Sequence, residues 1–117
     1  MSDSLRDKTA IVGVGCCKFG ENWHQSPEDM IVEAAFEAYA DAGINEPQKQ
    51  IDAVFCGSVY PSRGTAEVAE ALKLFDRPVS LVQNYCATGT DAFRYAVATV
   101  AAGMHDTVLV VGFDKPK

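Results

Sequence analysis

Two hydrophobic periods alternate along this chain, and that alternation restricts its fold more than any other feature. Four short runs rich in β-branched residues, Thr9 to Val14 (TAIVGV), Ile51 to Ser58 (IDAVFCGS), Pro78 to Gln83 (PVSLVQ) and Thr107 to Phe113 (TVLVVGF), are separated by stretches with helical spacing. A short apolar run bounded by turn residues suits a strand covered on both faces. Strands that alternate with helices imply a parallel sheet, because parallel neighbours need a long crossover, and right-handed crossovers lay helices on both sides. The expected architecture is α/β in βαβαβαβ order with a mostly parallel sheet. Thr9 to Val14 is expected to be a central strand, with Gly13 and Gly15 marking its end.

The helices have identifiable ends. Ser26 reads as an N-cap, Pro27 as the first helical residue, and Glu28 and Asp29 suit the positive end of the helix dipole. Ile31, Ala34, Ala35, Ala38 and Ala42 then recur at helical spacing, Glu33, Glu37 and Asp41 form an acidic row expected to face solvent, and Gly43 ends the helix. A second helix is expected over Thr65 to Phe75, after a loop containing Pro61, and a third from near Cys86 to Gly103. The third is small or apolar nearly all the way round from Ala87 to Ala102, with Asp91 and Arg94 its only charges, which predicts a buried helix.

Composition limits the function. With 117 residues the chain is at most one ordinary domain, and a net charge of -6 with a pI near 4.7 opposes the phosphate neutralisation that nucleic-acid binding needs. No apolar run approaches the roughly 20 residues that span a bilayer, and Met1 to Lys8 is polar and mixed in charge, so a cytoplasmic protein without a membrane partner is expected. The 4 cysteines include the adjacent Cys16 and Cys17, and neither His24 nor His105 stands at ligand spacing from a cysteine, so neither a disulfide framework nor a metal is indicated. Gly13, Gly15 and Gly20 miss the dinucleotide spacing, since its third glycine would fall at Lys18.

Cys86 is the candidate catalytic residue. It stands where a parallel strand passes into the third helix, and open α/β sheets bind their ligands at the carboxyl ends of strands. The positive end of a helix and its unpaired amides favour a thiolate, and the backbone amide of Cys86 is a candidate donor to a developing oxyanion. Gly89 within the helix suggests close backbone approach. Cys16, Cys17 and Cys56 read as packed thiols, Trp23 and His24 as a pocket lining or a surface anchor, and Asp91 with Arg94 as a structural pair in dry surroundings. Nothing in the spacing of Arg63 or Lys73 identifies a coenzyme contact, so cofactor-binding residues are left unassigned.

The segment VQNYCATG, an alanine-rich helix, a glycine, a turn with Asp106 and then VLVVGFDK resemble the nucleophile region of the thiolase superfamily, in the branch of sterol-carrier-protein thiolases and acetyl-CoA acetyltransferases. SPEDMIVEAAFEAYADAGI, IDAVFCGSVY, the nucleophile turn and GMHDTVLVVGFDK follow in family order, so the resemblance covers nearly the whole chain. It implies Claisen-type acyl transfer or thiolytic cleavage, with Cys86 taking an acyl group from a coenzyme A thioester that is substrate rather than resident cofactor. Asn84 and Tyr85 would shape the wall beside the nucleophile, and Thr88 stands where the family usually carries serine.

The family's histidine base, second cysteine and asparagine-bearing oxyanion loop belong to segments with no counterpart here, and His24 and His105 do not match the base. Residues 1–117 therefore read as the amino-terminal part of a thiolase-like domain. Acyl-CoA is the expected ligand. A homodimer through Pro78 to Gln83, or a complex with a chain supplying the missing half, is the expected assembly. Two rival readings follow from the same fold. One is a retro-aldolase acting on steroid side-chain thioesters, a group that generally lacks the nucleophilic cysteine; the other is a non-catalytic acyl-CoA-binding or scaffold subunit.

Overall fold

The computed structural model describes residues 4–61 and 63–115. Met1 to Asp3, part of the loop at Ser62, and the chain end at Lys117 lie outside the described residues. The elements are α1 (Pro27–Ala42), α2 (Pro47–Gln50), β1 (Ala53–Gly57), α3 (Thr65–Leu72), β2 (Val79–Val82), a 3-10 turn (Tyr85–Ala87), α4 (Thr88–Ala101) and β3 (Val108–Gly112). The short α2 gave no sequence signal.

The sheet is parallel, in the order β2-β1-β3, with Val54 opposite Val79 on one side and Leu109 on the other. Its two faces are divided by the strand period. Val54, Cys56, Leu109 and Val111 join Ile31, Ala35, Tyr39, Val68 and Leu72 in one core under α1 and α3. On the opposite face Phe55 stacks on Tyr95 of α4, with ring centroids 6.3 Å apart. Gly57 lies close beneath Thr88, whose Cγ2 would stand 2.8 Å from a β-carbon there. A strand covered on both sides explains why β1 carries no charge.

Helix α1 begins and ends as its sequence requires. Ser26 Oγ accepts from Asp29 N at 3.1 Å while Asp29 Oδ2 accepts from Ser26 N at 3.0 Å, a reciprocal capping box, and Gly43 closes the other end in the left-handed region. The Ser26 amide also holds the Asp29 carboxyl below its usual range. At the start of β1, Asp52 Oδ2 accepts from the amides of Asp106 and Thr107, both at 3.0 Å, and so ties the turn after α4 to the neighbouring strand.

The structure departs from expectation first at Thr9 to Val14, which forms no strand. This segment runs beside α1 with Ile11 67% and Val14 64% exposed, and an apolar cleft of about 460 Å³ separates Ala10–Gly15 from β3. The physical reason lies in the acidic row. Asp41 Oδ2 accepts from Val14 N at 2.9 Å, Glu37 Oε1 from Cys16 N at 3.2 Å and Glu33 Oε2 from Lys18 N at 3.3 Å. Carboxylates expected to be solvated thus hold the last amide of Thr9–Val14 and two alternate amides just beyond it, so the chain lies along α1 instead of pairing with β3. Gly13 and Gly15 permit this approach: a β-carbon at Gly15 would lie 2.1 Å from Ala34 O, and one at Gly13 2.5 Å from Ala38 O.

The remaining departures are smaller. α3 stops at Leu72 rather than Phe75 because Lys73 adopts a left-handed conformation. α4 buries Thr88, Ala92 and Ala96, while Phe93 and Tyr95 stay exposed, so it covers the sheet with one face and is not enclosed. The Asp91–Arg94 pair forms at 3.0 Å on the exposed side, with the guanidinium 4.7 Å from the Tyr95 ring centroid, and not in dry surroundings.

Candidate functional site at the nucleophile turn

At the carboxyl ends of β1 and β3, Gly57 and Gly112 border a hollow of about 500 Å³ whose lining also includes Val59, Tyr60, Tyr85, Cys86, Phe113 and Asp114. Cys86 is exposed there, within the 3-10 turn between β2 and α4. The turn is held by a single hydroxyl. Thr88 Oγ1 accepts from Asn84 N at 2.8 Å and donates to Tyr85 O at 2.6 Å. Tyr85 takes a positive φ of 47°, a conformation that costs a bulky residue about 1 kcal/mol or more and persists only where neighbours enforce it.

Cys86 therefore precedes α4 by two residues instead of capping it. The amide of Ala87 donates to Asn84 O at 2.9 Å and that of Thr88 to Tyr85 O, so both are spent within the turn. Gly89, expected at a close backbone contact, has nothing within 4 Å of the place a β-carbon would occupy and opens onto the hollow. Neither histidine lines the hollow: His24 is in the first loop, and His105 precedes β3 at the opposite end of the sheet.

Sequence reasoning did not single out Asp114. Its Oδ1 accepts from Ser58 Oγ at 2.8 Å, Val59 N at 3.0 Å and Tyr60 N at 2.8 Å, across more than fifty residues of chain. Such a contact leaves no local pattern to read. The adjacent Lys115 donates from Nζ to Asn22 O at 2.7 Å and to Gln25 O, fastening the first loop from the other side of the same strand end. Trp23, in that loop, is 82% exposed and lines no hollow around Cys86.

The other thiols differ from Cys86. Burial pushes Cys56 up to about 11, and its Sγ donates to Ser80 O at 3.3 Å within the core. Partial burial, with Cys16 and Glu33 nearby, raises Cys17, while Cys16 is exposed and donates to Cys17 O. Only Cys56 fits the expectation of a fully packed thiol. Arg63 is engaged with Glu28 at 3.0 Å and Glu70 at 2.7 Å, which joins α1 to α3. Among the described residues no helix is long and apolar enough to cross a membrane.

No protein-family model matches the sequence. The chain is 38% identical over 117 residues to an acetyl-CoA acetyltransferase of Methanocaldococcus jannaschii, a match covering 95% of this chain and 29% of that protein. It is 33% identical over 115 residues to sterol carrier protein 2 of Bos taurus, covering 95% of this chain and 21% of the relative. The chain thus spans less than a third of the length of either. A solved acetyl-CoA acetyltransferase from Syntrophomonas wolfei superposes with a TM-score of 0.72 at 23% identity, covering 86% of this chain and 27% of that one. The chain thus has the thiolase-like fold, and along almost its whole length it is similar to part of an acetyl-CoA acetyltransferase and of sterol carrier protein 2.

Proposed function

We propose that the chain carries the nucleophile half of a thiolase-type acyltransferase, acting between coenzyme A thioesters. The observation that supports it most is the exposed thiol of Cys86 on a strained turn at the mouth of an open hollow, at the carboxyl end of a parallel sheet. In this reading the Cys86 sulfur attacks the thioester carbonyl, the tetrahedral oxyanion collapses, and coenzyme A leaves as the thiol while the acyl group stays on Cys86. With the amides of Ala87 and Thr88 already used, the Cys86 amide is the candidate oxyanion donor from this turn.

The proton of the Cys86 thiol needs an acceptor, and no histidine lines the hollow among the described residues. Asp114 is a poor candidate, because three donors converge on its Oδ1. The base that deprotonates the thiol and the second thioester, and the coenzyme contacts, then come from outside this set of residues, through a second copy or a chain supplying the remainder of a thiolase-like domain. Coenzyme A enters as substrate, and the chain keeps no resident cofactor in this reading.

Intact-protein mass after brief exposure to acetyl-CoA tests the proposal, with Cys86→Ala alongside. One acetyl adduct that disappears in the alanine variant is expected. If no adduct forms although iodoacetamide alkylates Cys86, the chain alone lacks its activating base, and a chain that supplies the remainder should restore acetylation; failure there as well would favour the non-catalytic binding reading.

A further inference from the structure

We infer that Asp114 is a positioning residue that fixes one wall of the hollow around Cys86. This rests on the proposed reading for its role in acyl transfer, though not for its geometry. The turn Ser58–Tyr60 leaves β1 at the carboxyl end of the sheet, and nothing in its own sequence defines its shape. Three donors from it, the Ser58 hydroxyl and the amides of Val59 and Tyr60, converge on Asp114 Oδ1 at 2.8, 3.0 and 2.8 Å, and Val59 N also reaches Oδ2 at 3.2 Å. On its other side Val59 O accepts from Gln83 Nε2 at 3.1 Å. Gln83 lies directly after β2, on the stretch that leads into Cys86.

The turn is thus tied to the end of β3 and to the stretch that leads from β2 into Cys86, and Val59 and Tyr60 line the same hollow as Cys86. A carboxylate suits this task because it only accepts: three N–H and O–H groups can point at it at once. Asparagine can turn its one oxygen to the same donors, but it loses the charge that lets one oxygen hold three of them and sets an N–H₂ group against the Val59 amide, which also donates. Ser58 is fully buried, so its hydroxyl cannot exchange this partner for water. Asp114 serves the thiol without acting on the substrate: it holds in place the Val59–Tyr60 side of the hollow that Cys86 faces.

Asp114→Asn and Gln83→Leu release the wall from its two sides, and Asp114→Glu keeps the charge at a longer reach. Three readouts are taken on each: amide exchange at Val59 and Tyr60, the ratio of Cys86 alkylation by iodoacetamide to that by N-phenylmaleimide from peptide mass spectrometry, and Cys86 acetylation by acetyl-CoA. In Asp114→Asn the two amides should exchange at least tenfold faster and the reagent ratio should change by threefold or more. Iodoacetamide alone should react within twofold of the parent, and the acetyl-CoA concentration for half-maximal acetylation should rise. Gln83→Leu should move all readouts in the same direction by less, and Asp114→Glu should recover part of the loss.

An unchanged reagent ratio in Asp114→Asn, with exchange at Val59 and Tyr60 raised, would overturn the inference, since the wall would then be loose without consequence at the thiol. Equal losses with both reagents would overturn it too, by showing general damage to the turn that carries Cys86. If the parent chain is not acetylated, acyl transfer by this chain fails, while the exchange and reagent ratios still decide whether Asp114 shapes the hollow.

Discussion

Replacing Thr88 by valine keeps shape and removes one hydroxyl, which isolates what closes the nucleophile turn. The hydroxyl makes two bonds, at 2.8 and 2.6 Å, and Thr88 is only 5% exposed. Two net hydrogen bonds are worth about 1 kcal/mol each, and leaving the Asn84 amide without a partner in a half-buried place adds about 1 kcal/mol more. Against this, a loosened turn lets Tyr85 leave its positive φ and recovers about 1 kcal/mol of backbone strain. The expected net loss is about 2 kcal/mol. At a urea dependence of about 1.5–2 kcal/mol per molar, the unfolding midpoint should fall by about 1 M.

The comparison that decides is Thr88→Ser, which keeps the hydroxyl and loses the methyl packed against Gly57. One buried methyl is worth about 1 kcal/mol, so its midpoint should fall about half as far. Alkylation of Cys86 should change in the valine variant and not in the serine variant. A midpoint shift under about 0.3 M for valine, or equal shifts for the two variants, would refute the claim that the hydroxyl holds the turn.

Two glycines should respond in opposite ways. Gly15→Ala forces a β-carbon against the α1 backbone, 2.1 Å from Ala34 O, so the amides of Val14, Cys16 and Lys18 should exchange at least tenfold faster by hydrogen exchange. Gly89→Ala meets no atom within 4 Å inside a helix and should raise stability by about 0.5–1 kcal/mol in urea unfolding. Thiol titration at pH 8 should leave Cys56 unmodified until the chain unfolds, because with its value near 11 only about one thiol in a thousand is ionised and the group is buried. The amides of Thr107 and Asp106 hold Asp52 below the usual carboxylate range, so its contribution is present above about pH 4, the unfolded value, and is lost as pH falls through the lower folded one. Asp52→Asn should therefore cost under about 1 kcal/mol at pH 7, given its exposure, and the difference from the parent should vanish toward pH 3; a constant difference would contradict the assignment.

Local signals were legible and long-range ones were not. The capping box at Ser26 and Asp29, the glycine stop at Gly43 and the apolar runs of β1, β2 and β3 are written in neighbouring residues, and each element forms there, although β2, at the sheet edge, is not buried. Thr9 to Val14 has equally good strand chemistry, yet pattern alone does not say which acceptor its amides find. Asp41 takes the Val14 amide and two further carboxylates on α1 take those of Cys16 and Lys18, which draws the segment away from the edge of β3, and that depends on how closely Gly13 and Gly15 let the helix approach. The place of Cys86 between β2 and α4 was legible because strand, turn and helix follow one another in sequence. Asp114 was not, because it acts on a turn 54 to 56 residues earlier.

The acidic row on α1 and the segment beside it behave as two rulers of unequal graduation. One step along the helix row is four residues, about 6.0 Å, whereas one step along an extended chain is two residues, about 6.6 Å. The divisions drift apart by about 0.6 Å per step, and the contacts lengthen in that order, from 2.9 Å at Val14 to 3.2 Å at Cys16 and 3.3 Å at Lys18. A fourth division would be out by about 1.8 Å, beyond what hydrogen-bond geometry tolerates. The next position along the helix row, Asp29, is already committed to the Ser26 amide, so mismatch and capping together limit how much chain this helix can hold, and Gly20 turns away soon after Lys18 with a φ of 144°.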